Sequence, residues 1–192
     1  MANLDLLENS IPVAPLKLAA LPGSMEMAKK VDSYLVQFRK ELAERRNGVS
    51  FSGYSEDSFL IDCECPRFGS GEAKGQILES VRGTDLYLLV DVLNYSMTYS
   101  LCGNENHMSP DDHYQDLKRI IAAVGGKARR ITVIMPFLYE SRQHKRSSRE
   151  SLDCALALQE LVSMGVDNII TFDAHDPRVQ NAIPLHGFET VQ

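Results

Sequence analysis

Residues 131–176 read ITVIMPFLYESRQHKRSSRESLDCALALQELVSMGVDNIITFDAHD, and their periodicity decides the fold class. Ile131-Thr132-Val133-Ile134-Met135 is a β-branched, mostly apolar run of strand length without polar alternation. Such runs come from strands buried on both faces, the condition of a parallel sheet. Residues 151–164 then change to a helical period, with Leu152, Ala155, Leu156, Leu158 and Val162 on the inner side and Gly165 at the end. Asn168-Ile169-Ile170-Thr171-Phe172 returns to a buried strand.

Outward from this unit the alternation continues. Leu86-Tyr87-Leu88-Leu89-Val90 reads as another buried strand, and residues 111–124 as a helix capped by Asp111 and closed by Gly125-Gly126. Residues 25–46 read as an amphipathic helix, with Met25, Ala28, Val31, Leu35, Phe38 and Leu42 at helical spacing; Ser24 caps it and Asn47-Gly48 ends it. Residues 53–75 are irregular, with strand-like pieces near Phe59-Leu60-Ile61, and residues 94–110 are a polar loop. Apolar strands alternating with helices predict an α/β fold, a parallel sheet flanked by helices.

The whole chain sets outer bounds. Its 192 residues suffice for one domain with a sizeable core, read as residues 23–192 after an N-terminal extension, 1–22. With a formal net charge of -6 it lacks the basic balance of a general nucleic-acid binder. No apolar run is long enough to span a bilayer, and Asp5 and Glu8 interrupt the leucines of the N-terminus, unlike an export signal. Cys63, Cys65, Cys102 and Cys154 show neither a disulfide framework nor zinc spacing, so a reduced, cytoplasmic setting is the simplest reading.

Parallel sheets place ligands beyond the carboxyl ends of their strands, which directs attention to two segments. In the first, Arg142, Lys145, Arg146 and Arg149 fall within eight positions with no acid before Glu150. Arg grips phosphate through a planar fork and Lys offers a point charge, so a polyphosphate suits this loop; the other reading is a solvated charge run. In the second, Asp173, His175 and Asp176 are metal-capable side chains at a strand end, suited to magnesium or manganese chelated with a phosphate chain. The other reading has His175 bonded to Asp173 or Asp176, ordering the loop. A third, weaker segment is Arg67-Phe68-Gly69-Ser70-Gly71-Glu72, where a ring can stack on a base and a carboxylate can accept from an exocyclic amine.

Taken in order, Phe68-Gly69-Ser70-Gly71-Glu72, Glu79-Ser80-Val81-Arg82-Gly83, Arg142-Gln143, Arg149-Glu150, Asp173-Ala174-His175 and Gln180 resemble the ribose-phosphate diphosphokinases. The match is clear from about Gln76 onward, with a break across residues 94–110, and faint before Pro66. The resemblance implies a phosphoribosyltransferase type I fold, here the amino-terminal of two similar domains, in a cytoplasmic homo-oligomer of nucleotide biosynthesis. It implies a transfer of the diphosphoryl group of ATP to ribose 5-phosphate, with magnesium and release of AMP. Carried over residue by residue, Arg142 and Gln143 contact ATP, while Phe68, Ser70 and Glu72 reach adenine bound in a neighbouring subunit. His175 helps bind magnesium with Asp173 close by, and Ser80, Arg82, Arg149 and Gln180 match a regulatory phosphate or nucleotide site.

Three positions depart from that pattern: Ser70 stands in place of an acid or amide, His144 in place of an Asp, and Pro177 in place of a small polar residue. The ribose-phosphate loop and the catalytic Lys-x-Arg loop of the family have no counterpart up to Gln192. The expectation is therefore an ATP-side domain, inactive alone and without catalytic residues of its own. The competing readings are a non-catalytic regulatory relative that assembles with an active subunit, and a free-standing phosphate or nucleotide binder.

Overall fold

The computed structural model describes residues 12–45, 55–172 and 174–191. The expected end of the first helix at Arg46, Asn47 and Gly48 lies outside the described residues, as does Asp173. The chain runs β1 (Leu16–Ala20), a 3-10 turn (Pro22–Ser24), α1 (Met25–Arg45), β2 (Leu60–Ile61), β3 (Cys63–Glu64), β4 (Gln76–Ile77) and β5 (Asp85–Leu89). It continues with β6 (Thr98–Leu101), β7 (Asn104–His107), α2 (Pro110–Val124), β8 (Arg130–Ile134), α3 (Asp153–Ser163), β9 (Asn168–Phe172), a 3-10 turn (Pro177–Ala182) and β10 (Gly187–Val191). Among the described residues no helix is long and apolar enough to cross a membrane.

Six strands form one sheet in the order β10-β9-β8-β5-β1-β2, every neighbouring pair parallel. Parallel neighbours cannot be joined by a tight turn, so the connections cross over and carry the helices that cover the sheet. Because successive strand residues point to opposite faces, Ala19, Leu86, Leu88, Ile131, Val133 and Ile169 pack with α2 and α3 in the main core. Leu18, Ala20 and Leu89 turn the other way and pack with Ala28 of α1. The α/β reading holds.

Several local expectations are corrected. β1, which the sequence reading assigns to an N-terminal extension, is an interior strand between β5 and β2. Ser24 does not cap α1, because the 3-10 turn comes first and its hydroxyl is turned to Asp91. The cap of α2 is Ser109 rather than Asp111: its hydroxyl accepts from Asp112 N–H while the Asp112 carboxylate accepts from Ser109 N–H. A reciprocal pair satisfies two orphan donors where one Asp would satisfy one. Gly125 closes α2 in the left-handed conformation, φ 59°.

Residues 94–110 are not a plain loop: β6 and β7 pair antiparallel as a hairpin, Thr98 opposite His107. Its short alternation is too polar for the eye to separate from loop composition. α3 begins at Asp153 and buries Cys154, Ala157, Leu158 and Leu161, leaving Leu156 exposed rather than inward.

Candidate functional site

All six sheet strands point the same way, so their carboxyl ends share one edge. The strand order reverses between β1 and β5, since the chain moves outward to β2 on one side and to β8, β9 and β10 on the other. Such a switch point opens a crevice in parallel sheets. Here it is stitched: Asp91 N–H donates to Ser24 Oγ at 2.6 Å, and Asn94 Nδ2 donates to the Gly23 carbonyl at 2.8 Å. Buried His113 holds the Asn94 carbonyl through Nε2 at 2.9 Å. None of these residues except Ser24 carries a sequence signal, because each acts through backbone groups far away in the chain.

The basic segment leaves β8 where expected, at the carboxyl edge. Glu140 takes a left-handed φ of 55°, which turns the chain sharply before Ser141, and Ser141 is buried. Gln143 N–H donates to the Glu140 carbonyl at 2.8 Å. The Gln143 carbonyl accepts from Cys154 N–H at 3.3 Å, and its side-chain amide donates to the Ser151 carbonyl. Gln143 thus ties the loop to the start of α3. That first turn is less available to an anion than the sequence suggests, since Asp153 already supplies a carboxylate there.

Arg142 borders a cavity of about 160 Å³ together with Val92, Leu93, Phe137, Tyr139 and Ser141, between the ends of β5 and β8. Among the described residues no carboxylate pairs with Arg142, Lys145, Arg146 or Arg149. Glu150 instead bends back to accept from the N–H and hydroxyl of Ser147, which lowers its pKa. The four cations are left facing solvent at the ligand edge. A second cavity, about 400 Å³, lies between α1 and the sheet and includes the Asp85–Arg130 ion pair at the amino ends of β5 and β8. It is far larger but at the wrong edge for the motifs.

Beside the basic loop, the segment after β9 brings His175 and Asp176 to His144, the rings of the two histidines meeting edge to face at 5.0 Å. His144 Nε2 stands 3.5 Å from Asp176 Oδ2. Asp176 also caps the following 3-10 turn by accepting from Arg178 N–H at 2.9 Å, and the Arg178 guanidinium holds its carboxyl well below the usual range. Among the described residues no three His, Cys, Asp or Glu side chains are gathered as a ready metal site.

The aromatic turn projects separately. Phe68 N–H donates to the Glu72 carbonyl at 2.7 Å, and Gly71 N–H to the Phe68 carbonyl at 2.9 Å, leaving the Phe68 ring 54% exposed. Ser70 Oγ donates to the Glu72 carboxylate at 2.9 Å. The β6–β7 hairpin docks on this turn: Cys102 N–H reaches the Gly69 carbonyl at 2.8 Å, and Tyr99 lies under the Arg67 guanidinium at 4.7 Å. Arg67 and Arg119 both grip Asp116, at 2.8 and 2.6 Å. No hydrogen bond or ion pair among the described residues joins this turn to the Arg142 loop.

Ser80 and Arg82 are exposed just before β5, at the amino edge, with Ser80 Oγ only a 3.5 Å acceptor for Arg82 N–H. Arg149, in the loop after β8, and Gln180, in the 3-10 turn that crosses from β9 to β10, are also exposed.

This is a parallel α/β scaffold with a cationic loop at the carboxyl edge of its sheet. Residues 16–165 match the family model described as the N-terminal domain of ribose phosphate pyrophosphokinase. The chain belongs to that family. It is 33% identical over 121 residues to ribose-phosphate pyrophosphokinase 1 of Schizosaccharomyces pombe, covering 62% of this chain and 26% of the relative. To a ribose-phosphate pyrophosphokinase of Prochlorococcus marinus it is 30% identical over 180 residues, 93% of this chain and 45% of the relative.

The crystal structure of phosphoribosylpyrophosphate synthetase from Mycobacterium smegmatis superposes with a TM-score of 0.65 at 23% identity, over 92% of this chain and 48% of that one. That likeness establishes the fold, a phosphoribosyltransferase type I-like sheet. The chain spans from about a quarter to a half of the length of the relatives it matches.

Proposed function

We propose that the chain is the ATP-side domain of a ribose-phosphate diphosphokinase. The observation that carries this reading is the loop after β8, where Arg142, Lys145, Arg146 and Arg149 stand unpaired with any described carboxylate at the carboxyl edge of the sheet. In the proposed reaction the anomeric hydroxyl of ribose 5-phosphate attacks the β-phosphorus of ATP. The bond to the α-phosphate oxygen breaks, and AMP leaves. Such a transfer asks the protein mainly to hold anions in line and neutralise charge on non-bridging oxygens. The Arg142 fork and the neighbouring cations suit that task, with Gln143 fixing the loop against α3.

Magnesium enters this reading as the chelate of ATP, held chiefly by phosphate oxygens. On the family pattern His175 and Asp173 would reach it. We assign the nucleotide, not the sugar or the bond-making step, to this domain. On the same reading copies of the chain associate in the cytoplasm, the exposed Phe68 with Ser70 and Glu72 meets adenine across a subunit boundary, and Ser80, Arg82, Arg149 and Gln180 complete a regulatory anion site between copies.

One observation favours the second reading, a regulatory relative. Ser70 occupies the Glu72 carboxylate and the hairpin clamps the turn, so an adenine amine would have to displace an existing bond. Calorimetric titration of the chain with Mg-ATP tests the first reading, and loss of binding in Arg142→Ala supports it. A chain that ignores nucleotide yet alters the rate of an active diphosphokinase subunit when mixed with it would support the second.

A further inference from the structure

We propose, on the reading of the Arg142 loop as the site of the phosphates, that the stacked rings of Tyr95 and His107 are a platform for a nucleobase bearing an exocyclic amine. The β6–β7 hairpin rises from the rim of the cavity that Arg142 borders. Leu93, which leads into the hairpin, and Pro110, which follows it, both line that cavity. Tyr95 is two residues beyond Leu93 and His107 three before Pro110, so the rings stand at the stem of the hairpin and not at its tip.

The two rings are 4.3 Å apart, centre to centre, and inclined by only 11°. His107 covers one face of Tyr95, and the tyrosine is still 68% exposed, so its other face is open. Every base has a π-face that can extend such a stack. The platform is fixed from below. The Asn94 carbonyl accepts from buried His113, the Asn94 amide donates to the Gly23 carbonyl, and Asn94 Oδ1 accepts from the N–H and hydroxyl of Ser96. Met108 N–H closes the stem on the Met97 carbonyl at 2.8 Å. A ring held in place before its ligand arrives loses little freedom on binding.

His107 supplies the selectivity. Its Nδ1 lies 2.8 Å from the Tyr95 carbonyl oxygen, which can only accept, so Nδ1 carries the hydrogen. In the neutral ring Nε2 is left as an acceptor, and among the described residues nothing donates to it. An acceptor at the edge of a stacked base favours an amine there over a carbonyl oxygen. In the Phe68 turn, by contrast, the Glu72 carboxylate already accepts from Ser70. A base has two faces, so stacking on Tyr95 leaves the second open to Phe68 of a neighbouring copy.

The test is calorimetric titration of the 192-residue chain with Mg-ATP, with Mg-ITP, whose base has a carbonyl oxygen in place of the amine, and with base-free Mg-tripolyphosphate. Tyr95→Ala is expected to weaken Mg-ATP by roughly 5- to 150-fold and to leave tripolyphosphate unchanged, while Tyr95→Phe keeps the parent affinity. His107→Phe retains a ring but no acceptor, and should abolish a preference for ATP over ITP of about 2- to 10-fold. Far-UV circular dichroism checks that the variants fold. Proton NMR of the unmutated chain needs no variant: the ring protons of Tyr95 and His107 must move upfield with Mg-ATP and stay in place with Mg-tripolyphosphate. Mg-ATP affinity unchanged in Tyr95→Ala, an equal loss of tripolyphosphate, equal affinity of the parent for ATP and ITP, or ring protons that ignore ATP would each overturn the proposal. ATP and tripolyphosphate bound equally, with Tyr95 silent, sinks the platform and spares the Arg142 reading; neither bound sinks that reading and the platform with it.

Discussion

Ser24 Oγ, at the end of β1, accepts the backbone N–H of Asp91, at the end of β5, at 2.6 Å, and this bond closes the crevice where the strand order reverses. Ser24 is 3% exposed, so the bond is shielded from water. Removing the hydroxyl leaves an N–H without its partner in a place water reaches poorly. Ser24→Ala is expected to lower stability by about 1–3 kcal/mol, the loss of a buried bond plus the stranded donor. Denaturant midpoints at unchanged slope measure it; a midpoint equal to that of the parent would mean the crevice is wet.

Arg142 borders the cavity between β5 and β8 and has no described carboxylate partner, so its truncation should leave stability alone and strike binding. A charge-assisted bond to phosphate contributes about 1.5–3 kcal/mol, so Arg142→Ala should weaken Mg-ATP by roughly 10- to 100-fold. Calorimetry beside a thermal melt checks both halves. Equal affinity in the two proteins would move the nucleotide elsewhere.

Gly71 sits at φ 88°, and a Cβ built there would lie 2.8 Å from Leu101 Cδ1 of the hairpin. Gly71→Ala therefore meets two penalties, a left-handed backbone of about 1–2 kcal/mol and a clash. Leu101→Ala should relieve the second and not the first. In a double-mutant cycle the coupling should be favourable and smaller than the whole loss. A purely additive cycle would show that the hairpin does not press on the turn.

Glu160 accepts from Lys118 Nζ at 2.9 Å and from Tyr114, and Lys118 is the first cause of its lowered pKa. A carboxyl whose folded pKa is depressed adds stability above its unfolded value, near 4.5, and loses it as pH falls through the folded value. The Glu160 side chain is 45% exposed, so the contribution is at most about 1 kcal/mol. Glu160→Gln should be the less stable protein at pH 7 and should converge with the parent toward pH 3. A gap that persists in acid would assign the loss to packing instead.

Burial pushes the thiols of Cys63 and Cys154 up to about 11 and that of Cys65 up to about 12, while Cys102 is exposed on the hairpin turn. All four are free. Only thiolate alkylates, so iodoacetamide at neutral pH should label Cys102 first and the others only on unfolding. Peptide mass spectrometry against time reads the order, and early labelling of Cys65 would mean that its strand opens.

The sequence by itself determined the layer architecture and the ligand edge. Runs such as 131–135 and 168–172 read as strands of a parallel sheet, although β9 is buried only at Ile169 and Thr171, and the strands' common direction puts the Arg142 and His175 segments at one end. It also carried the family, through short motifs whose order survives divergence. What it could not carry is any contact made through backbone atoms or between distant segments.

Ser109 capping α2 in place of Asp111, the hairpin in residues 94–110, and β1 as an interior strand all depend on partners that a local window does not contain. The same holds for the site. Ser80 and Arg82 read as companions of Arg149 and Gln180, yet the first two precede β5 while Arg149 follows β8 and Gln180 lies in the crossover from β9 to β10. His144 and Asp176 are 32 positions apart in sequence, and only the neighbouring ends of β8 and β9 bring an imidazole nitrogen to face a carboxylate.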